Sequence, residues 1–160
     1  MFVDSCLYKD FHKYIDIINI NNNFIKQDLV KITNFKSLYS QEKPLIKIHD
    51  YINRIMKYIY KDDSHIDGLI INVIILIKRV LTTISVNNYN IHRIIAGVFM
   101  LSQKVYDDYH YTNECWAYIC GIQLSDINKI ELDILEIIDY NTFIKHQEML
   151  TVVRSIKYLD

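Results

Sequence analysis

The sequence predicts an all-α domain, and three observations support this. Only three glycines and one proline occur among 160 residues, and long helices need neither residue, whereas β-turns and glycine loops do. Apolar residues recur at intervals of three and four, which is the spacing of a helix face. With 51% hydrophobic residues, the chain can bury a core, but it is long enough for only one ordinary domain.

The N-terminal 43 residues are predicted to form a helical extension. Helical patterns cover residues 9–20 and 25–36, and three consecutive asparagines at 21–23 separate them. These patterns are short and carry few start or stop signals. The extension is therefore predicted only as helical, without an assigned role.

The clearest amphipathic helix follows Pro44, a residue that suits the first turn of a helix. Five residues share one face of it: Leu45, Ile48, Ile52, Ile55 and Ile59. Asp63 or Ser64 is predicted to cap a second helix, which is apolar nearly all round from Ile66 to Ile84 until Lys78 interrupts it. Such a helix is expected to be the hub of a bundle.

Four helical patterns follow a polar break at residues 87–90. A third helix is predicted from Ile91 to Tyr106, and a fourth from Asn113 to Cys120, with Thr112 as its N-terminal cap and Gly121 as its stop. Ser125 is predicted to cap a fifth, which residues 139–142 end. Its buried stripe is Ile127, Ile130, Ile134, Leu135 and Ile138. A last helix is predicted over residues 146–158, within a C-terminal region of residues 143–160.

Charge and cysteine content limit the possible functions. A net charge of -1 and a pI near 6.6 provide no basic field for nucleic acid. Three irregularly spaced cysteines fit a reducing, intracellular setting better than a disulfide framework. The most apolar stretch, residues 69–80, contains Asn72, Lys78 and Arg79, so we interpret it as a core helix and expect no membrane association.

No enzyme motif is persuasive. His110, Cys115 and Cys120 lie close together in sequence, but their spacing matches no tetrahedral zinc signature. Neither a phosphate-binding loop nor a convincing set of catalytic residues can be identified. We therefore expect no metal, no cofactor and no small-molecule substrate.

Several motifs together carry a family resemblance over residues 44–142. They are D-Y-I-N-R-I-M-K-Y (50–58), N-I-H-R (90–93), S-Q-K-V-Y-D-D (102–108), G-I (121–122) and D-I-N-K-I-E-L-D-I-L-E-I-I-D-Y (126–140). In order and spacing they resemble the cyclin box, and most closely that of the P-type cyclins, also called U-type, which are related to fungal phosphate-pathway cyclins. The resemblance implies a five-helix bundle around a central apolar helix, with extra helices at both ends.

The resemblance also implies a function. In the family, a lysine and a glutamate at the positions of Lys104 and Glu131 bond main-chain groups of a cyclin-dependent protein kinase near its regulatory helix. A groove between them accepts an aliphatic kinase side chain, and the matching positions here are Leu101, Val105, Leu135 and Tyr140. The chain would then be a non-catalytic regulatory subunit in the nucleus or cytoplasm, and catalysis would belong to the kinase.

Two other interpretations stay open. Taken without the motifs, Lys104 and Glu131 are more simply a solvated pair within the chain. The chain is alternatively a cyclin-fold adaptor that binds a non-kinase protein or a nucleic-acid complex through basic residues such as Lys145, Arg154 and Lys157. The chain also departs from most cyclins, because Leu45 and Lys78 stand where an internal arginine and aspartate pair is usual.

Overall fold

A computed structural model describes residues 6–22, 34–59 and 66–157. Within these ranges the chain forms seven α-helices and one short 3-10 helix, Lys36–Leu38, and contains no strand. The α-helices are α1 (Cys6–Asn22), α2 (Ile48–Ile59), α3 (Ile66–Leu81), α4 (Ile91–Tyr106), α5 (Asn113–Cys120), α6 (Leu124–Ile137) and α7 (His146–Lys157). The predicted all-α class is confirmed.

Two helices form the centre of the bundle. As predicted, α3 is buried nearly all round, and it packs against α1, α4, α6 and α7. The helix α4 is almost as deeply buried and packs against α2, α3, α5 and α6. Because each of the two central helices contacts a different set of outer helices, burial of their side chains joins all seven into one core.

The terminal helices belong to this core. Phe11 and Ile15 of α1 are buried, and the Phe11 ring meets Phe99 of α4 edge to face at 5.9 Å. Val152 of α7 is buried as well. In the predicted second N-terminal helix, residues 25–33 lie outside the described residues, while Asn34 and Phe35 are not helical.

The start of α2 differs from the prediction. The first helical residue is Ile48, and Leu45 is fully exposed instead of lying on the buried stripe. Just before the helix, the Ile46 carbonyl accepts a hydrogen bond from the His92 ring of α4 at 2.8 Å. This contact fixes the segment against α4 in a non-helical conformation. The predicted cap at Asp63 or Ser64 lies outside the described residues.

The ends of α5 match the prediction, whereas the start of α6 does not. The Thr112 side chain accepts a bond from the Cys115 amide at 3.4 Å, and Gly121 ends α5 in the left-handed conformation at φ 64°. The N-cap of α6 is Gln123 rather than Ser125, because Asp126 and Ile127 both donate their amides to the Gln123 carbonyl at 2.9 Å. Ser125 is therefore a helical residue.

A glycine brings α4 and α6 close together. A Cβ atom at Gly97 would lie 2.7 Å from Ile130 Cγ2 and 3.0 Å from Ile134 Cγ1. Both distances are shorter than carbon contacts in a packed core. Gly97 therefore sets how closely the two helices approach each other.

None of the helices in the described ranges is both long enough and apolar enough to cross a bilayer.

Candidate functional site

Three helices meet at a polar cluster made of Lys104, Asn113 and Glu131. Lys104 Nζ donates to Glu131 Oε1 at 2.5 Å and to Asn113 Oδ1 at 2.6 Å. Asn113 Nδ2 donates to Glu131 Oε2 at 2.8 Å and to Asn128 Oδ1 at 2.7 Å. The cluster therefore joins the end of α4, the start of α5 and the middle of α6.

The cluster is shielded but open on one side. The side chains of Lys104 and Glu131 are 23% and 18% exposed. Lys104 uses two of its three N–H donors within the described part of the chain, and each Glu131 oxygen accepts one hydrogen bond there. One Lys104 donor and further lone pairs on the Glu131 oxygens therefore have no hydrogen-bond partner among the described residues.

Local structure explains how the cluster is held. Lys104 lies in the last turn of α4, where a cation interacts favourably with the helix dipole. Asn113 is the first residue of α5, directly after the Thr112 cap. The loop between the two helices is fixed because Gln103 Oε1 accepts the Tyr111 amide at 3.1 Å. The short loop thus brings Asn113 back to Lys104.

Sequence reasoning did not single out Asn113. Its only signal is an asparagine directly after a helix cap, a position where the side-chain amide is free to donate and accept at once. That signal is weak, because asparagine is common at helix starts for local reasons. Its partners come from two other helices, which no local pattern identifies.

The predicted groove residues on the two helices lie beside this cluster. Leu101 of α4 is buried, while Val105, one turn further along, is 49% exposed. Leu135 lies one turn beyond Glu131 on α6 and is half-buried against the core. These residues therefore lie on two helices that pack against each other, and the groove between them stays a prediction.

Tyr140 is positioned by the turn that ends α6. Its amide donates to the Leu135 carbonyl at 2.8 Å, which brings its backbone back to Leu135. Its side chain is 65% exposed, and its φ of 53° is unusual for a residue other than glycine. Two further apolar residues of this region, Leu132 and Phe143, are also exposed; sequence reasoning did not identify either of them.

A second ion pair joins α4 and α6 at their N-terminal ends. Arg93 Nη2 donates to Asp126 Oδ2 at 2.9 Å, and Arg93 Nη1 donates to the Ser37 carbonyl at 2.7 Å. The Ser37 hydroxyl in turn bonds Asp133. This pair therefore has further partners within the chain, and it borders an open cleft that is lined mainly by polar residues.

His110, Cys115 and Cys120, which lie close together in sequence, differ in their surroundings. Burial raises the pKa of the Cys120 thiol to about 12, so that this cysteine does not supply a thiolate near neutral pH. Cys115 and His110 are exposed. Within these ranges no group of three His, Cys, Asp or Glu side chains has the geometry to hold a metal ion.

Comparison with known proteins identifies the family. A family model described as cyclin matches residues 14–142. The PHO85 cyclin-like protein psl1 of Schizosaccharomyces pombe is 31% identical over 110 residues, which is 66% of this chain and 44% of the relative. Cyclin-U1-1 of Arabidopsis thaliana is 27% identical over 122 residues, which is 67% of this chain and 50% of the relative.

A third relative, Cyclin-U4-3 of Arabidopsis thaliana, is 34% identical over 93 residues, 58% of this chain and 42% of the relative. The chain thus spans about half the length of the curated relatives it matches. The family match covers α2 to α6 and the second half of α1, including the polar cluster and the predicted groove residues. The chain therefore belongs to the cyclin family, has the all-α cyclin-box fold and is similar to the P-type and U-type cyclins.

Proposed function

We propose that this chain is a regulatory subunit that binds and activates a cyclin-dependent protein kinase. The contact surface is the docking groove, which consists of Leu101, Val105, Leu135 and Tyr140 together with Lys104 and Glu131. The observation that carries the proposal is the polar cluster: two opposite charges are held rigidly beside exposed apolar side chains, with hydrogen-bonding capacity left over.

The groove suits a protein segment with one apolar side chain and free main-chain groups. An aliphatic side chain that becomes buried between Val105 and Leu135 contributes about 1.5–3 kcal/mol. Lys104 supplies a donor for a carbonyl and Glu131 supplies an acceptor for an amide. Because desolvation offsets much of their attraction, these charges mainly determine the register and orientation of the partner.

Activation follows from differential affinity. Phosphoryl transfer in protein kinases requires a strand lysine paired with a glutamate on a mobile helix of the kinase. A subunit that binds that helix only in its active position shifts the kinase toward activity. In this mechanism the chain supplies no reacting group, and catalysis takes place in the kinase.

The test uses the purified chain and a panel of recombinant cyclin-dependent kinase subunits. Binding is measured by calorimetry, and activity is measured with a generic serine/threonine peptide. Lys104→Glu and Glu131→Lys should each weaken binding at least about tenfold, or about 1.4 kcal/mol. Lys57→Glu and Glu136→Lys are matched controls, since both residues are exposed and lie outside the groove.

A double charge swap separates the structural role of the pair from its docking role. Lys104→Glu combined with Glu131→Lys restores an ion pair, and the thermal stability lost in the single variants should return. Binding should not return, because the donor and acceptor have exchanged places. Unchanged binding by both single variants would reject this contact surface, and salt-sensitive nucleic-acid binding without kinase binding would favour the adaptor function instead.

A further inference from the structure

The turn that ends α6, residues 138–142, has a conformation that its own residues do not favour. Asp139 and Tyr140 have φ angles of 54° and 53°, and two successive left-handed residues other than glycine are uncommon. Four backbone amides of the turn donate hydrogen bonds to main-chain carbonyls, those of Asp139, Tyr140, Asn141 and Thr142. Because the Tyr140 side chain is largely exposed, its burial does not stabilise this conformation.

Arg79, near the end of α3, forms hydrogen bonds to the segment that follows α6. Its Nη1 atom donates to the Asn141 carbonyl at 2.5 Å, and its Nη2 atom donates to the Phe143 carbonyl at 3.0 Å. The two carbonyls lie on either side of Thr142. A planar guanidinium can bind both at once, which a lysine ammonium on a flexible stem does less well.

Glu148 of α7 orients the arginine. Its two carboxylate oxygens accept from Arg79 Nη2 at 3.0 and 2.8 Å. Arg79 and Glu148, here called the brace, have side chains that are 17% and 34% exposed. The brace borders an open cleft of about 470 Å³ that Lys145, Gln147 and Thr151 also line, so changing it leaves the apolar core intact.

We propose that Arg79 and Glu148 are positioning residues for the docking groove, which makes the C-terminal helix α7 part of the partner-binding apparatus. This inference rests on the proposed function. The brace holds the turn in the strained conformation, the turn presents Tyr140 beside Leu135, and α7 supplies the carboxylate that orients the arginine. Loosening α7 therefore weakens binding at a groove that α7 itself does not line.

The molecule provides a closely matched control. The Arg93 and Asp126 pair has nearly the same side-chain exposure, 18% and 34%, and a similar length of 2.9 Å. Its arginine likewise bonds a main-chain carbonyl, that of Ser37. Asp126→Asn should therefore cost about as much stability as Glu148→Gln, but at a place that does not support Tyr140.

Hydrogen exchange tests the brace in the isolated chain. Arg79→Lys and Glu148→Gln should speed exchange of the turn amides at 139–142 about tenfold, whereas Asp126→Asn should leave them unchanged. Unchanged exchange in both brace variants would overturn the proposal.

The affinity for a cyclin-dependent kinase that binds the unaltered chain tests whether the brace supports the docking groove. The affinity should fall about tenfold in Arg79→Lys and about threefold in Glu148→Gln, and it should be unchanged in Asp126→Asn. Faster exchange with full affinity would show that the turn does not support docking, and this would overturn the inference. If the unaltered chain binds no kinase, the proposed function itself fails, and exchange alone then decides whether the brace holds the turn.

A rescue variant distinguishes positioning from general stability. Glycine adopts left-handed conformations without strain, so Asp139→Gly should stabilise the turn without help from the brace. Combined with Arg79→Lys, it should restore both slow exchange and affinity to within about twofold. If the turn amides exchange slowly again but the affinity stays low, the loss of affinity is due to Arg79 itself rather than to the turn. This outcome would contradict the positioning role.

Discussion

Two ion pairs connect the same two helices, α4 and α6, and they differ in what surrounds them. Arg93 and Asp126 border a cleft that is lined mainly by polar residues, and the Ser37 carbonyl also accepts a hydrogen bond from the arginine. Lys104 and Glu131 are joined by Asn113 but border exposed apolar side chains. Ion pairing alone therefore does not distinguish the proposed docking groove; the exposed apolar side chains beside the second pair do.

The largest effect is expected where the two helices cross. Gly97→Ala would place a Cβ atom 2.7 Å from Ile130 Cγ2, which forces α4 and α6 apart and disturbs both ion pairs. Overpacking of this kind costs about 1–3 kcal/mol. A thermal melt should show a drop of about 2–4 °C for each kcal/mol, together with weaker kinase binding.

Gly68→Ala is the matched control for this prediction. Its Cβ would lie 2.2 Å from the Tyr106 hydroxyl oxygen and 2.5 Å from Cζ, but this side chain is exposed and can move away. Because alanine favours a helix over glycine, this variant should melt within a few degrees of the unaltered chain. Equal losses in both variants would mean that the helix crossing does not limit packing.

The two ion pairs should separate stability from binding. Arg93→Met leaves the Ser37 carbonyl and Asp126 without their donor and should cost about 1–2 kcal/mol in urea unfolding, with kinase affinity retained. Lys104→Met leaves Glu131 with Asn113, so stability should fall by about 1 kcal/mol or less, while affinity falls at least about tenfold. Equal changes of stability and of affinity in the two variants would mean that the two ion pairs do not differ in their roles.

The N-terminal end of α4, where His92 lies, should also respond to pH. Burial lowers the pKa of His92 from 6.5, against the opposing effect of its bond to the Ile46 carbonyl. The unfolded chain therefore binds the proton more readily, and stability that is fully present above pH 6.5 is lost as the pH falls through the lower folded pKa. The melting temperature should decline between pH 7 and pH 5.

His92→Gln should reduce this decline, because glutamine can still donate to Ile46 but does not titrate. Part of the decline should remain, since burial and the nearby charge of His49 lower the pKa of His12 as well. His146→Gln, at an exposed position, serves as the control. A decline of the same steepness in the His92 variant would exclude His92 as a source.

The smallest effects concern the helix starts near each pair. Thr112→Ala removes the side chain that caps α5, next to Asn113, and should cost about 0.5–1 kcal/mol. Ser125→Ala lies inside α6 rather than at its cap, so its effect on chemical denaturation should be within about 0.5 kcal/mol. A larger loss of stability in Ser125→Ala would support Ser125 as the N-cap that the sequence predicts.

Much of the fold was predictable because helix signals are local. The bounds of α4 and α5 follow from apolar spacing, a threonine cap and a glycine stop. The same rules failed at Leu45, where the His92 contact with Ile46 stabilises a bend. They failed at Ser125 because Gln123 is in the cap position and its carbonyl accepts the first two amides.

The candidate site was predictable only in part. Lys104 and Glu131 follow from the motif, and the structure joins them directly. Asn113 could not be predicted, because its role depends on three helices that meet. The brace formed by Arg79 and Glu148 could not be predicted either, since its members lie 69 residues apart in sequence.

The amino-acid sequence by itself determined the helical class, the nearly all-apolar α3 and the family to which the chain belongs, because periodicity and motif spacing depend on residues near one another in the chain. Only the tertiary structure decided which charged pair lies beside a polar cleft and which lies beside exposed apolar side chains. It also decided that Tyr140 adopts a left-handed conformation. These properties depend on how closely α4 and α6 approach and on what α3 and α7 place around them, and no local pattern contains that information.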